Sequence, residues 1–232
     1  QGASANDMFA YTVRDSGGGV DTATVSVRID GSYVTYVGST AMVTGTDGVD
    51  SITYDVVSRA LVINGVRHTM RPEAMLVSID GRGARDVLSL FGTAGDDTAI
   101  LRPGTVVFEH DATHTGFDLT GVNLEVITLD GRGGSDRATL HDSTGDDRIY
   151  VRPASAAMVG ATFENNLYQF EQVTGLLTAG SDLARFFDSA GDDTVVAGPG
   201  NATLSGAGFL HSAQGFDTLV ASANAGGNDL AR

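Results

Sequence analysis

The sequence predicts an all-β fold: a right-handed parallel β-helix built from repeats of about 46–50 residues, with a β-hairpin at its N-terminal end. Three observations predict it. An acidic, Gly-rich motif recurs four times at nearly constant spacing. The composition holds 31 Gly but few helix formers. The first thirty residues read as two alternating runs around a Gly-rich turn.

The repeat is the strongest of the three. "GTDGVDSITY" (45–54), "GTAGDDTAIL" (92–101), "DSTGDDRIYV" (142–151) and "DSAGDDTVVA" (188–197) align. Their last aspartates, Asp50, Asp97, Asp147 and Asp193, are 47, 50 and 46 residues apart. Pro103, Pro153 and Pro199 keep the same step. Upstream, "IDGRGARD" (79–86) matches "LDGRGGSD" (129–136), with shorter relatives "TAGSD" (178–182) and "NAGGND" (224–229). A period shared by independent landmarks points to a stacked architecture.

Each unit holds several short apolar runs broken by Gly, Asn, Asp or Pro, which read as strands and turns. In the unit after residue 182 these are "RFF", "TVVA", "ATLSGAG" and "DTLVASA". A propeller blade has a similar length, but blades need aromatic anchors and the chain has no Trp. A coil of strands fits better. We expect two coils of about 23 residues per repeat, which would hold equivalent aspartates roughly 10 Å apart, where repulsion is weak.

Composition agrees. There are 24 Asp, five Glu and no Lys, whereas surface helices use Glu and Lys on their wet face. The net charge of −15 disfavours nucleic acid and anionic membranes as partners. No stretch of about 18 apolar residues is present, so no helical membrane span is expected. The absence of Cys excludes disulfides and thiolate chemistry. It suits a secreted bacterial protein. No signal peptide is read. The chain stops at "GGNDLAR", three residues into a further unit. The expectation is that the native protein continues or that this end meets another copy.

Residues 1–30 form the predicted hairpin and residues 31–232 the coil. "SANDMFAYTVRDSGGGVDTATVSVRI" (4–29) resembles the last two strands of the cadherin-like repeats of large bacterial surface proteins. From residue 45 onward the chain is similar in style to haemolysin-type repeats, whose pattern is GGxGxDx followed by an apolar residue. That second resemblance implies export, a β-helical coil and calcium. The haemolysin-type unit recurs every nine residues, while this motif recurs every 46–50, so a continuous calcium ladder is not expected.

The candidate metal ligands are Asp96, Asp97, Asp142, Asp146, Asp147, Asp188, Asp192 and Asp193, because calcium takes carboxylate and carbonyl oxygens. The competing reading is architectural: the first Asp of each pair closes its own turn and the second marks the strand entry. Asp80 and Asp86, and Asp130 and Asp136, bracket small loops in which Arg82 or Arg132 would supply the counter-charge. "EHDATHTGFD" (109–118) holds His110 and His114 beside Glu109, Asp111 and Asp118, and reads as an inserted solvated loop or a transition-metal site. His68, His141 and His211 complete the five. No nucleophile elbow, P-loop, EF-hand loop or zincin helix is present.

The expected function is non-catalytic: a structural segment of a bacterial extracellular or cell-surface protein, serving adhesion or matrix as a spacer and stabilised by calcium. Expected partners are copies of itself, joined head to tail into a fibre through the Gln1–Ile29 hairpin and the open C-terminal coil, and surface glycans. The alternative is a carbohydrate-binding or polysaccharide-cleaving β-helix.

Overall fold

The structure is a computed structural model and describes residues 5–29, 33–110 and 118–232. Every regular element among them is a β-strand. β1 (Ala5–Arg14) and β2 (Val20–Ile29) pair antiparallel with each other alone. Their turn is closed by Asp15, whose Oδ1 accepts the N–H groups of Gly17 and Gly19 at 2.9 and 2.8 Å. Phe9 faces Val25 and Tyr11 faces Ala23 across this hairpin.

The remaining chain forms a β-solenoid of about five turns, as expected. It opens with β3 (Tyr33–Val37) and β4 (Thr40–Thr44). The first repeat follows as β5 (Ser51–Asp55), β6 (Ala60–Ile63), β7 (Val66–Thr69), β8 (Leu76–Asp80) and β9 (Val87–Phe91). The second comprises β10 (Asp97–Arg102), β11 (Thr105–His110), β12 (Asp118–Val122), β13 (Val126–Asp130) and β14 (Arg137–His141). The third comprises β15 (Arg148–Arg152), β16 (Ser155–Val159), β17 (Glu164–Tyr168), β18 (Gln172–Leu176) and β19 (Leu183–Phe187). The fourth comprises β20 (Thr194–Gly198), β21 (Asn201–Gly206), β22 (Phe209–Gln214), β23 (Thr218–Ser222) and β24 (Leu230–Ala231).

Two sheets of 12 and 10 strands enclose one core. Strands such as β13, with alternate residues buried, send Ile127 and Leu129 inward and Thr128 outward, the period of two that a half-buried strand requires. Leu88, Leu101, Leu119, Ile149 and Leu167 are wholly buried.

The division of each repeat differs from the expected pair of 23-residue coils. Strands in parallel register lie 35–42 residues apart in sequence, as in Arg148 with Leu183 and Leu76 with Asp118. The cause is a three-stranded antiparallel meander at the head of each repeat. From β9 the chain crosses to the opposite sheet, but β10 does not land beside β8. It lands two places further on, and β11 and β12 fold back to fill the gap. β15–β17 and β20–β22 repeat the manoeuvre. Between one meander and the next the chain crosses three times, so successive meanders fall on alternate sheets.

β22 was not legible as a strand. Its inward positions are Phe209, His211 and Ala213, and the imidazole interrupts the apolar alternation. In the structure His211 is buried. Its Nδ1 accepts the Val173 N–H at 3.1 Å and its Nε2 lies 3.3 Å from the Pro153 carbonyl oxygen. Burial lowers its pKa.

Corners of successive rungs pack backbone to backbone. Gly134 has φ +122°, and a Cβ there would stand closer than 3.0 Å to the Gly95 carbonyl. Gly180 meets Gly145, and Gly227 meets Gly191, in the same way. Gly133, one residue away, has open space around it. Gly134→Ala should therefore cost about 3 kcal/mol, read by chemical denaturation, through clash and backbone strain. Gly133→Ala should stay within about 0.5 kcal/mol.

Candidate functional site

The acidic corners do not form one column. Links that leave the 12-stranded sheet for the 10-stranded one hold Asp50 and Asp147, and links in the reverse direction hold Asp97 and Asp193. Because single strands within each sheet run parallel, the two kinds of link lie on opposite edges of the solenoid.

Each corner belongs to a relay of acids on adjacent rungs. The Asp50 N–H donates to Asp86 Oδ1 at 2.7 Å, and the Asp86 N–H donates to Glu125 Oε2 at 2.8 Å. Asp97 donates to Asp136 at 2.7 Å and Asp136 to Glu171 at 2.7 Å. Asp147 donates to Asp182 and Asp182 to Asp217, both at 2.8 Å. Asp193 donates to Asp229 at 3.0 Å. Acidic side chains thus stack one strand apart, closer than the spacing expected from 23-residue coils. Backbone N–H groups stabilise the stack, each satisfying a donor that the corner would otherwise bury.

Within the GDD pair the second Asp stands at the strand entry, as expected, but it is not the first Asp that closes the turn. The second Asp closes its own turn: Asp97 Oδ2 accepts the Thr93 N–H at 2.8 Å, and Asp147 Oδ2 accepts the N–H and Oγ of Ser143 at 2.8 and 2.7 Å. Asp50 with Thr46, and Asp193 with Ser189, do the same. The first Asp stitches to the following rung. Asp96, Asp146 and Asp192 accept the N–H groups of Ser135, Ser181 and Asn228 at 2.8, 2.8 and 2.7 Å. Asp142 and Asp188 likewise accept those of Thr178 and Ala225, at 2.5 and 2.7 Å.

The remaining oxygen of the second Asp varies by repeat. Asp50 Oδ1 receives Asn64 Nδ2 at 2.6 Å, and Asp97 Oδ1 lies 2.9 Å from His110 Nδ1. His110 thus serves the corner; the 111–117 part of its acidic stretch, with Asp111 and His114, lies outside the described residues. In the next two repeats a glycine, Gly160 or Gly206, takes that place, and Asp147 Oδ1 and Asp193 Oδ1 have no hydrogen-bond partner. The rings of Phe163 and Phe209 pack there instead, and an aromatic edge carries partial positive charge.

The middle acids are the electrostatically costly ones. Burial pushes Asp86 up to about 6 and Asp136 up to about 7, with neighbouring carboxylates adding to it. Asp182 is raised for the same first cause. In the DGRGG loop the Arg132 guanidinium pairs with Asp55 of another rung rather than with the Asp130 and Asp136 that bracket it, and lies 5.2 Å over the Phe91 ring. Asp55 is held low despite burial because Ser58 and Arg132 donate to it.

Of the eight candidate metal ligands, the structure gathers Asp142 and Asp147 into one group with Asp182, their ligand atoms within 4.8 Å of one another. Three carboxylates are the donor set a hard cation takes. Asp96, Asp97, Asp146, Asp188, Asp192 and Asp193 are not in any such group among the described residues. Sequence reasoning missed Asp182 because "TAGSD" marked only the period. It missed Glu125, Glu171 and Asp217, which keep the same step, 46 and 46 residues, because the acid type changes and each follows an apolar residue rather than a Gly-rich turn.

Asp147→Ala should cost about 3 kcal/mol, since it strips acceptors from two buried-corner donors and removes a packed side chain. Asp146→Ala, on an exposed side chain with one such bond, should cost clearly less. Urea titration of the two variants makes the comparison. No protein-family model, no curated protein and no solved structure matches this chain.

Proposed function

We propose that this chain is a non-catalytic structural segment of a bacterial extracellular or cell-surface protein, a stiff spacer whose repeated acidic residues serve the scaffold. One observation carries the reading. The recurring aspartates, which chemistry or recognition would need free, each commit an oxygen to an N–H group of their own corner or of a neighbouring rung. An acidic, Cys-free and Lys-free composition supports export.

A glycan-acting surface has weaker support. Sugar rings stack on open aromatic faces; Arg71 lies 4.2 Å over Tyr36 and Arg152 lies 4.5 Å over Phe187, and the exposed rings Phe9 and Tyr11 on the hairpin and Tyr168 on β17 are on separate elements. Incubation with a panel of neutral and uronic-acid polysaccharides should release no new chain ends. Turnover of any one of them would overturn the spacer reading.

Calcium belongs to the same proposal, with Asp142, Asp147 and Asp182 as its seat. Excess calcium should raise Tm by a few degrees over chelator, by mass action on the folded state. Asp142→Asn should remove the difference. Equal melting in calcium and chelator would withdraw the metal and leave the spacer reading intact.

A further inference from the structure

Asp86 is fully buried between rungs, and its two oxygens have opposite surroundings. Oδ1 accepts the Asp50 N–H at 2.7 Å. Oδ2 has no donor. Beside Oδ2 is another acceptor, the carbonyl oxygen of Asn123 on the following rung. Both flank Gly81: a Cβ built there would stand 2.6 Å from Oδ2 and closer still to the Asn123 oxygen. Asn123 is fixed in this pose at φ +54°, with its Nδ2 donating to Asp80 Oδ1 at 2.8 Å.

A buried carboxylate oxygen and a carbonyl oxygen crowded around the same glycine repel when the carboxyl is ionised, and a proton on Oδ2 converts the repulsion into an O–H···O bond. We propose that Asp86 is held as a neutral carboxylic acid donating from Oδ2 to the Asn123 carbonyl, a proton-operated clasp between consecutive rungs. The charged groups around it favour that state. Asp50 on the rung before, Glu125 on the rung after and Asp80 on β8 are all acidic. The two arginines of its own loop are turned elsewhere, Arg82 to Asp47 and Arg85 to Glu164. The same pairing of oxygens recurs around Gly131, between Asp136 Oδ2 and the Gln169 carbonyl.

The sign of the effect follows. The unfolded chain loses this proton near the ordinary value of 3.8, and the folded chain keeps it until about 6. Stability contributed by the clasp is therefore lost as pH rises across that window, by up to about a hundredfold in the folding equilibrium.

Carbon-13 NMR of the wild-type carboxyls, assigned with Asp86→Asn, reads the state directly. The Asp86 signal should titrate near pH 6, and a midpoint below 5 would overturn the clasp. Asp86→Asn places an amide donor where the acid proton sits. It should fold at pH 8 with an equilibrium constant at least tenfold above wild type, and with a flatter pH dependence between 4 and 7. Asp86→Ala should be weaker than wild type at pH 5. An Asn variant less stable than wild type at pH 8 would show that the ionised carboxylate is what the corner requires, and would overturn the proposal.

Discussion

The structure depends on one constraint: a chain that turns a corner inside a stack must find acceptors for amides that no longer point along a ladder. Strand amides have the neighbouring strand. Corner amides do not, and burying them bare costs about 1–3 kcal/mol each. Here a carboxylate from the adjacent rung meets them. That solution needs an acidic residue at the head of the strand that follows each such corner, and it places three acidic side chains on consecutive rungs at each edge. The side chain and the amide it serves lie 35–39 residues apart in sequence. The relay therefore ties rungs together in a way that local turn chemistry cannot.

Much of the fold was legible in the sequence. The apolar runs "TVVA" and "DTLVASA" marked β20 and β23, Gly-rich punctuation marked the corners, and the period marked stacking. The meander was not legible. β11, β16 and β21 have the same burial alternation as their neighbours, and no single-sequence signal says whether a strand folds back beside its predecessor or crosses to the facing sheet. The acidic corners were visible as a pattern, but their partners were not. Glu125, Glu171 and Asp217 each follow an apolar residue, in "NLE", "QFE" and "GFD", outside the acidic Gly-rich motifs, and only the register of β13, β18 and β23 shows that they answer Asp86, Asp136 and Asp182. The misplaced role of the first Asp in the GDD pair has the same origin, since a turn read in isolation cannot show that one of its side chains reaches the rung beyond.

The relay also explains why a strongly acidic surface need not mean a surface built for ligands. Asp50, Asp97 and Asp147 are among the most buried residues in the chain, and their charges face inward to backbone dipoles. The aromatic residues show the same economy: Phe163 and Phe209 pack where a hydrogen-bonding side chain stands in the earlier repeats.

Because meanders alternate between the two sheets, the solenoid has a parity. Inserting or deleting a single unit would turn everything downstream by half a revolution, so a patch that faced one way would face the other. Adding or losing units in twos would lengthen the rod while leaving its sides unexchanged. An evolving array of this kind can change length freely only in even steps if both of its flanks are to keep their neighbours.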